Sequence, residues 1–275
     1  MMQSFTTSDG LSLAYRDEGE GPAVLCLAGL TRAHDDFDEM AAHISGMRLI
    51  RMDYRGRGGS DFDPNPMNYA VPVEARDALE LLDHLGLDKA AIIGTSRGGI
   101  IAMFLAVTAK HRLTGVLLND VGPVLDKADL GRIVDYVGRN PPYRDYDEAA
   151  RKYPDEMTGF ANVTPERWRL EVERLWRIGE NGLEIRYDPE LRQSVMAAMD
   201  APGVDLWPLF DALEGLPLAL LRGANSQLLT PETVAEMRAR RPDMLFAQVP
   251  DRAHIPFLDE PESLALIGQF LEKIP

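Results

Sequence analysis

The sequence predicts an α/β architecture, a mostly parallel twisted sheet covered by helices on both faces, into which a helical cap is inserted. Three observations lead there. Short runs rich in Val, Ile and Leu alternate with longer amphipathic segments, the pattern of strands buried on both faces and joined by crossover helices. That rhythm stops over residues 122–212 and then resumes. The 275 residues are 45% hydrophobic and 27% charged, an ordinary balance with enough apolar material for a sizeable core. At roughly 150 residues per domain, such a length suits one large domain carrying an insertion.

Taken in order, the apolar runs are residues 11–15, 23–28, 48–52, 90–94 and 116–119, with 218–222 and 245–249 near the end. Between the third and fourth, Val73, Ala78, Leu81, Leu82 and Leu85 keep the spacing of one helical face, and Gly86 follows as a stop signal. Residues 100–109 read as a helix after the fourth run, and a final helix begins near Pro261. Residues 1–121 and 213–275 are therefore expected to form the core, and 122–212 the cap, read as helices joined by Pro-containing loops. All three tryptophans, Trp168, Trp176 and Trp207, and five of the eight tyrosines fall in the cap, which suggests an aromatic underside. Trp168, Val172, Leu175, Trp176 and Gly179 follow helical spacing and are expected to build a core.

Composition excludes several function classes. A net charge of −15 repels phosphate backbones and anionic lipid, so neither nucleic acid nor a membrane is an expected partner. The longest apolar stretch, residues 100–109, is far below the roughly 20 residues that span a bilayer. Cys26 is the single cysteine, which rules out an intramolecular disulfide and a thiolate cluster. Its place in an apolar run marks it as a buried small hydrophobe. With a polar, leader-free first ten residues, the expected compartment is the cytoplasm. The glycines at 56, 58 and 59 are not a dinucleotide fingerprint, because Asp61 stands where a third glycine is required.

Chemistry first appears at Gly94-Thr95-Ser96-Arg97-Gly98-Gly99, a G-x-S-x-G element with an apolar run before it and a helix-like segment after it. A serine on a tight strand-to-helix turn needs small neighbours, and the helix start leaves unpaired N–H groups where negative charge would develop. Its hydroxyl also needs a base. His254 is the candidate, lying on a loop beyond the last apolar run, on the side where active sites of open α/β sheets assemble. His43, His84 and His111 lie in or beside amphipathic segments and read as solvated or structural. His34 follows Gly29-Leu30-Thr31 and is a candidate pocket residue or part of a polar loop. The run His34-Asp35-Asp36-Phe37-Asp38 lacks the second clustered histidine of a metal site, so no metal is expected. Arg97 is expected to pair with an acid of the scaffold rather than with a substrate carboxylate.

Together, Leu27-Ala28-Gly29-Leu30, Asp53-Tyr54-Arg55-Gly56-Arg57-Gly58-Gly59-Ser60, the Gly94 to Gly98 elbow and His254 resemble the α/β-hydrolase superfamily, over nearly all of the chain outside the cap. The resemblance implies the α/β-hydrolase fold, Ser96 as nucleophile, His254 as base, and an oxyanion hole from the backbone N–H groups of Leu30 and Arg97. Ala28-Gly29 stands where the familiar first loop has His-Gly. A second departure concerns the acid. The family usually carries it after the strand that follows the cap, yet Arg222-Gly223-Ala224-Asn225-Ser226-Gln227-Leu228-Leu229-Thr230-Pro231 holds no carboxylate. Asp120, 24 residues after Ser96 at the end of the adjacent run, is the favoured acid, as in some haloalkane dehalogenases and lipases. Asn225, a water bridge or an unrecognised acid are the alternatives.

The function implied is a serine hydrolase acting by acyl transfer on a small-molecule substrate, a partly apolar ester, lactone or thioester, with no cofactor required. A C–C bond hydrolase of a diketone-like ring-cleavage product is the first rival, and a non-catalytic ligand-binding protein of the same fold the second. Dehalogenase and epoxide hydrolase activities would call for Asp where Ser96 stands. Oligomeric state is not specified by the sequence.

Overall fold

The computed structural model describes residues 1–124, 127–200 and 204–275; residues 125–126 and 201–203 of the expected cap lie outside them. In chain order the strands are β1 (Gln3–Thr6), β2 (Ser12–Glu18), β3 (Ala23–Leu27), β4 (Arg48–Met52), β5 (Ala90–Thr95), β6 (Leu113–Asn119), β7 (Trp176–Gly179), β8 (Gly182–Ile185), β9 (Leu218–Gly223) and β10 (Leu245–Val249). The helices are α1 (Asp38–Ala42), α2 (Val71–His84), α3 (Arg97–Thr108), α4 (Lys127–Tyr136), α5 (Tyr146–Glu156), α6 (Pro165–Leu175), α7 (Leu191–Asp200), α8 (Trp207–Asp211), α9 (Pro231–Arg240) and α10 (Pro261–Leu271). Among the described residues, the main sheet runs β1-β2-β4-β3-β5-β6-β9-β10. Pairing is parallel from β4 to β10 and antiparallel at β1–β2 and β2–β4.

Both faces of the sheet are covered, and period-two alternation divides the apolar side chains between them. Leu25 and Leu27 of β3 join a core with Leu81 and Leu82 of α2, Ile101 and Leu105 of α3 and Phe210 of α8. Val24 and Cys26 face the opposite way, onto Met40 of α1 and Leu266, Ile267 and Phe270 of α10. The Cys26 thiol is fully buried there, and desolvation pushes its pKa up to about 12.

The structure departs from the sequence reading at three places, each with a physical cause. β1 is absent from the apolar runs because it is an antiparallel edge strand in which Phe5 alone is buried. β2 continues past Tyr15 through Arg16, Asp17 and Glu18 because cross-strand ion pairs hold its polar end, with Arg48 Nη2 2.7 Å from Asp17 and Arg51 on Glu18. The stretch between β6 and β9 is not purely helical: α6 ends at Leu175, and Trp176 turns extended to open the hairpin β7–β8. Gly179 and Gly182 face each other across its turn, and Gly182 takes φ +133°. Thus Trp176 and Gly179 belong to a strand rather than to the helix their spacing suggested. No helix among the described residues is long and apolar enough to cross a membrane.

What the fold supplies to the rest of the molecule is the junction of β5 and α3. β5 pairs with both β3 and β6, and α3 starts one residue after Ser96. The Gly98 N–H donates to Ala28 O at 3.1 Å, and a β-carbon at position 98 would sit 2.0 Å from the Leu27 carbonyl oxygen. That obstacle is backbone of a central strand, which no rotamer change can move. Gly98→Ala should therefore destabilise the protein by at least about 2 kcal/mol, read as a lower urea midpoint. An unchanged midpoint would show that α3 can lift away from β3.

Candidate active site

Ser96 sits at φ 49°, ψ −109°, a strained conformation for a residue with a β-carbon. Hydrogen bonds fix it there: its N–H donates to Asn119 O at 3.0 Å, and its carbonyl accepts from Gly99 N at 2.9 Å. The result is a hydroxyl projecting from the end of β5 at the first turn of α3, beside amides with no intrahelical acceptor. The N–H groups of Leu30 and Arg97 donate to no other described residue. Both are thus free to meet an anionic oxygen next to Ser96.

Two side chains complete a relay from that hydroxyl. His254, on the loop between β10 and α10, brings Nε2 to 3.1 Å from Ser96 Oγ and Nδ1 to 2.7 Å from Asp120 Oδ2. Asp120 follows β6 at φ 54° and is fully buried. Its carboxylate also accepts from Gly223 N at 2.9 Å and from Ser226 Oγ at 2.6 Å, so both oxygens are occupied and its orientation is fixed. The structure therefore brings Ser96, His254 and Asp120 together.

Other sequence candidates lie elsewhere or act differently. Asn225 reaches the cavity wall, but its amide donates to Gly159 O at 2.8 Å, and the His254 Nδ1 position is taken by Asp120. His34 is not among the cavity-lining residues. Its backbone N–H and Nδ1 bind Asp53 Oδ1 at 2.7 and 2.9 Å, so it ties the loop after β3 to the loop after β4. Trp207 stacks edge-on against Phe210 on the core beside α3 and is not among the cavity-lining residues.

Ser226 and Asn119 escaped sequence reasoning. Ser226 lies in the very stretch inspected for an acid, but a hydroxyl there signals nothing until its partner is known. Asn119 Nδ2 donates to Pro256 O at 3.1 Å, holding the His254 loop to the end of β6.

Beside these groups lies a cavity of about 640 Å³, lined by Ser96 and His254 together with Trp168, Trp176, Tyr143 and Tyr153. Trp168 and Trp176 thus meet the cavity as well as the local core. The described residues hold no group of three His, Cys, Asp or Glu side chains able to bind a metal.

Behind the elbow, Arg97 turns away from the cavity. Its Nε lies 2.8 Å from Glu74 Oε2, while Arg57 Nη2 lies 2.9 Å from Glu74 Oε1. Burial works against the Glu74 carboxylate, but the Arg97 and Arg57 guanidiniums outweigh it and hold its pKa below the ordinary value. Arg97 therefore pairs with the scaffold.

Comparison with known proteins agrees with this architecture. The family described as alpha/beta hydrolase fold matches residues 22–261. The chain is 38% identical over 270 residues to a 3-hydroxybutyrate-oligomer hydrolase of Cupriavidus necator, covering 94% of this chain and 92% of that protein. It is 26% identical to haloalkane dehalogenase 2 of Mycobacterium tuberculosis, covering 95% and 91%. The crystal structure of an alpha/beta hydrolase from Novosphingobium aromaticivorans superposes with a TM-score of 0.93 at 37% identity, covering 100% and 98%.

The triad of Arg57, Glu74 and Arg97, in which Arg57 and Glu74 are fully buried and Arg97 partly so, gives a stability prediction. Glu74→Ala leaves two guanidiniums facing each other without their shared carboxylate, and should lower unfolding free energy by about 3–5 kcal/mol. Urea denaturation measures it, and a loss under about 1 kcal/mol would mean that water replaces the carboxylate.

Proposed function

We propose, since the chain belongs to the α/β-hydrolase family, that it is a serine hydrolase of small, partly apolar esters. The observation that carries this reading is the continuous contact from Ser96 Oγ to His254 Nε2 at 3.1 Å and from His254 Nδ1 to Asp120 Oδ2 at 2.7 Å. His254 removes the hydroxyl proton as Ser96 Oγ attacks the ester carbonyl. Asp120 holds the imidazole tautomer and stabilises the imidazolium that forms. The carbonyl oxygen, now an anion, is met by the Leu30 and Arg97 amides. His254 then returns the proton to the leaving alcohol, and water activated by the same imidazole releases the acid and restores Ser96.

For substrate, the relative named as a 3-hydroxybutyrate-oligomer hydrolase favours a short ester of a hydroxy acid, one form of the small partly apolar ester. The 640 Å³ cavity under the stretch 122–212, which we assign as the cap, has room for such a molecule. Likeness to a haloalkane dehalogenase does not carry its reaction over, because Ser96 occupies the position where that chemistry calls for Asp. The ground for a binding-only protein was the missing acid after β9, and the Asp120 contact speaks against it.

A panel of short-chain esters, lactones, thioesters and diketones tests the reading. Esters should be turned over fastest, Ser96→Ala should abolish turnover, and Asp120→Asn should lower kcat by at least about a hundredfold. Unchanged kinetics in Asp120→Asn would remove that residue from the mechanism, and faster cleavage of diketones would favour C–C hydrolysis.

A further inference from the structure

We propose that Arg32 anchors a carboxylate carried by the substrate away from its reacting carbonyl, so that the site takes short hydroxy-acid esters that retain a free acid group. The inference rests on the hydrolase reading above and narrows its substrate.

Arg32 lies two residues after Leu30, in the turn closed by Arg32 N donating to Gly29 O at 3.2 Å. Its side chain packs back over Gly29, where a β-carbon would be 3.3 Å from Arg32 Cγ. The guanidinium is thereby tethered to the loop that carries the Leu30 amide, and it lines the same cavity as Ser96 and His254. Two carboxylates fix its plane. Arg32 Nε donates to Asp36 Oδ1 and Oδ2 at 2.9 and 2.7 Å, and Nη2 donates to Glu171 Oε2 of α6 at 3.0 Å. Nη1 bonds no other described residue, and it is not among the sealed, unpartnered nitrogens. Its two N–H groups retain their bonding capacity.

Tyr153 of α5 supplies a neutral donor beside it. Its ring stands edge-on to Trp168 and Trp176, at 89° and 79°, and its hydroxyl bonds no other described residue. Burial raises the phenol's pKa, and the nearby Arg32 charge only partly offsets that rise, so the hydroxyl stays protonated and able to donate. Of the other guanidiniums that line the cavity, Arg139 is exposed and two are already engaged. Arg167 is held by Glu171 at 2.9 Å and Asp259 at 2.6 Å, and Arg174 by Glu39. With Asp36, Glu171, Asp259 and Glu39 set against Arg32, Arg167 and Arg174, this set of charges is slightly negative, and attraction for an anion comes from where unspent donors lie rather than from a net positive wall. A guanidinium held flat by two partners, with its remaining edge and a phenol O–H open to the cavity, matches the directional acceptors of a carboxylate. On a chain of net charge −15, an anionic substrate needs such a fixed point of attraction.

The test compares 3-acetoxybutanoate, a hydroxy-acid ester that bears a free carboxylate, with its neutral methyl ester, following acetate release. Wild-type protein should favour the acid in kcat/KM by about tenfold, the size of one charge-assisted contact. Arg32→Gln should lower the acid-to-ester ratio by about tenfold, mainly through KM, and Tyr153→Phe by about threefold. Because the ratio is internal to each preparation, partial unfolding of a variant cannot produce the change. Turnover of both esters with no preference for the acid, or a ratio unmoved by Arg32→Gln, would overturn the carboxylate anchor and leave the serine-hydrolase reading intact. Failure of wild-type protein to turn over either ester would overturn both.

Discussion

The turn at Ser96 is the constraint on which the rest of the structure depends. A residue with a β-carbon is held at φ 49° because β5 must end and α3 must begin with no residue to spare between them. Strain of this kind costs about 1–3 kcal/mol and persists only where the surroundings over-determine it. Here they do. The large cores on both faces of the sheet anchor β3 and β5, and Gly98 lets α3 touch β3 closely enough for an amide–carbonyl bond. Packing energy gathered across the whole sheet is thus concentrated on the direction of one hydroxyl.

A second strained residue answers the first. Asp120, at φ 54° after β6, stands one strand away from Ser96, and β9 lies on its other side. The loop after β9 then contributes donors in place of an acid. Gly223 N–H and Ser226 Oγ both bind the Asp120 carboxylate, so this loop keeps a place in the relay although it carries no charge of its own. His254 is steadied from the same region by the Asn119 contact to Pro256 O and by Arg252, whose Nε lies 2.8 Å from Glu260 Oε1. The buried charges are arranged to support geometry: Glu74 holds Arg97 away from the cavity, leaving its amide beside Ser96.

Much of this was legible in the sequence because it follows from local rules. Buried parallel strands announce themselves as continuous apolar runs, and the elbow is specified by glycines within five residues. The relation between Ser96, Asp120 and His254 could be anticipated from their positions at strand ends, since parallel strands deliver their following loops to one side of the sheet. Information that is long-range or weakly apolar stayed hidden. β1 buries one side chain, Phe5, and leaves no pattern. The β7–β8 hairpin was masked by Trp168, Val172 and Leu175, whose helical spacing runs on by accident into Trp176 and Gly179. His34 looked like a pocket residue because its partner Asp53 is 19 positions away. Asn225 and Ser226 are adjacent, and nothing in the sequence says that the second, not the first, reaches the acid.

The central claim is that Ser96 Oγ is a nucleophile activated through His254, and covalent capture tests it most directly. Protein treated with a fluorophosphonate and digested with trypsin should carry the phosphonyl adduct on the peptide spanning residues 90–97, with fragment masses placing it on Ser96. His254→Ala protein should remain unlabelled under the same conditions. An adduct on another residue, or labelling of Ser96 that is indifferent to loss of His254, would contradict the account.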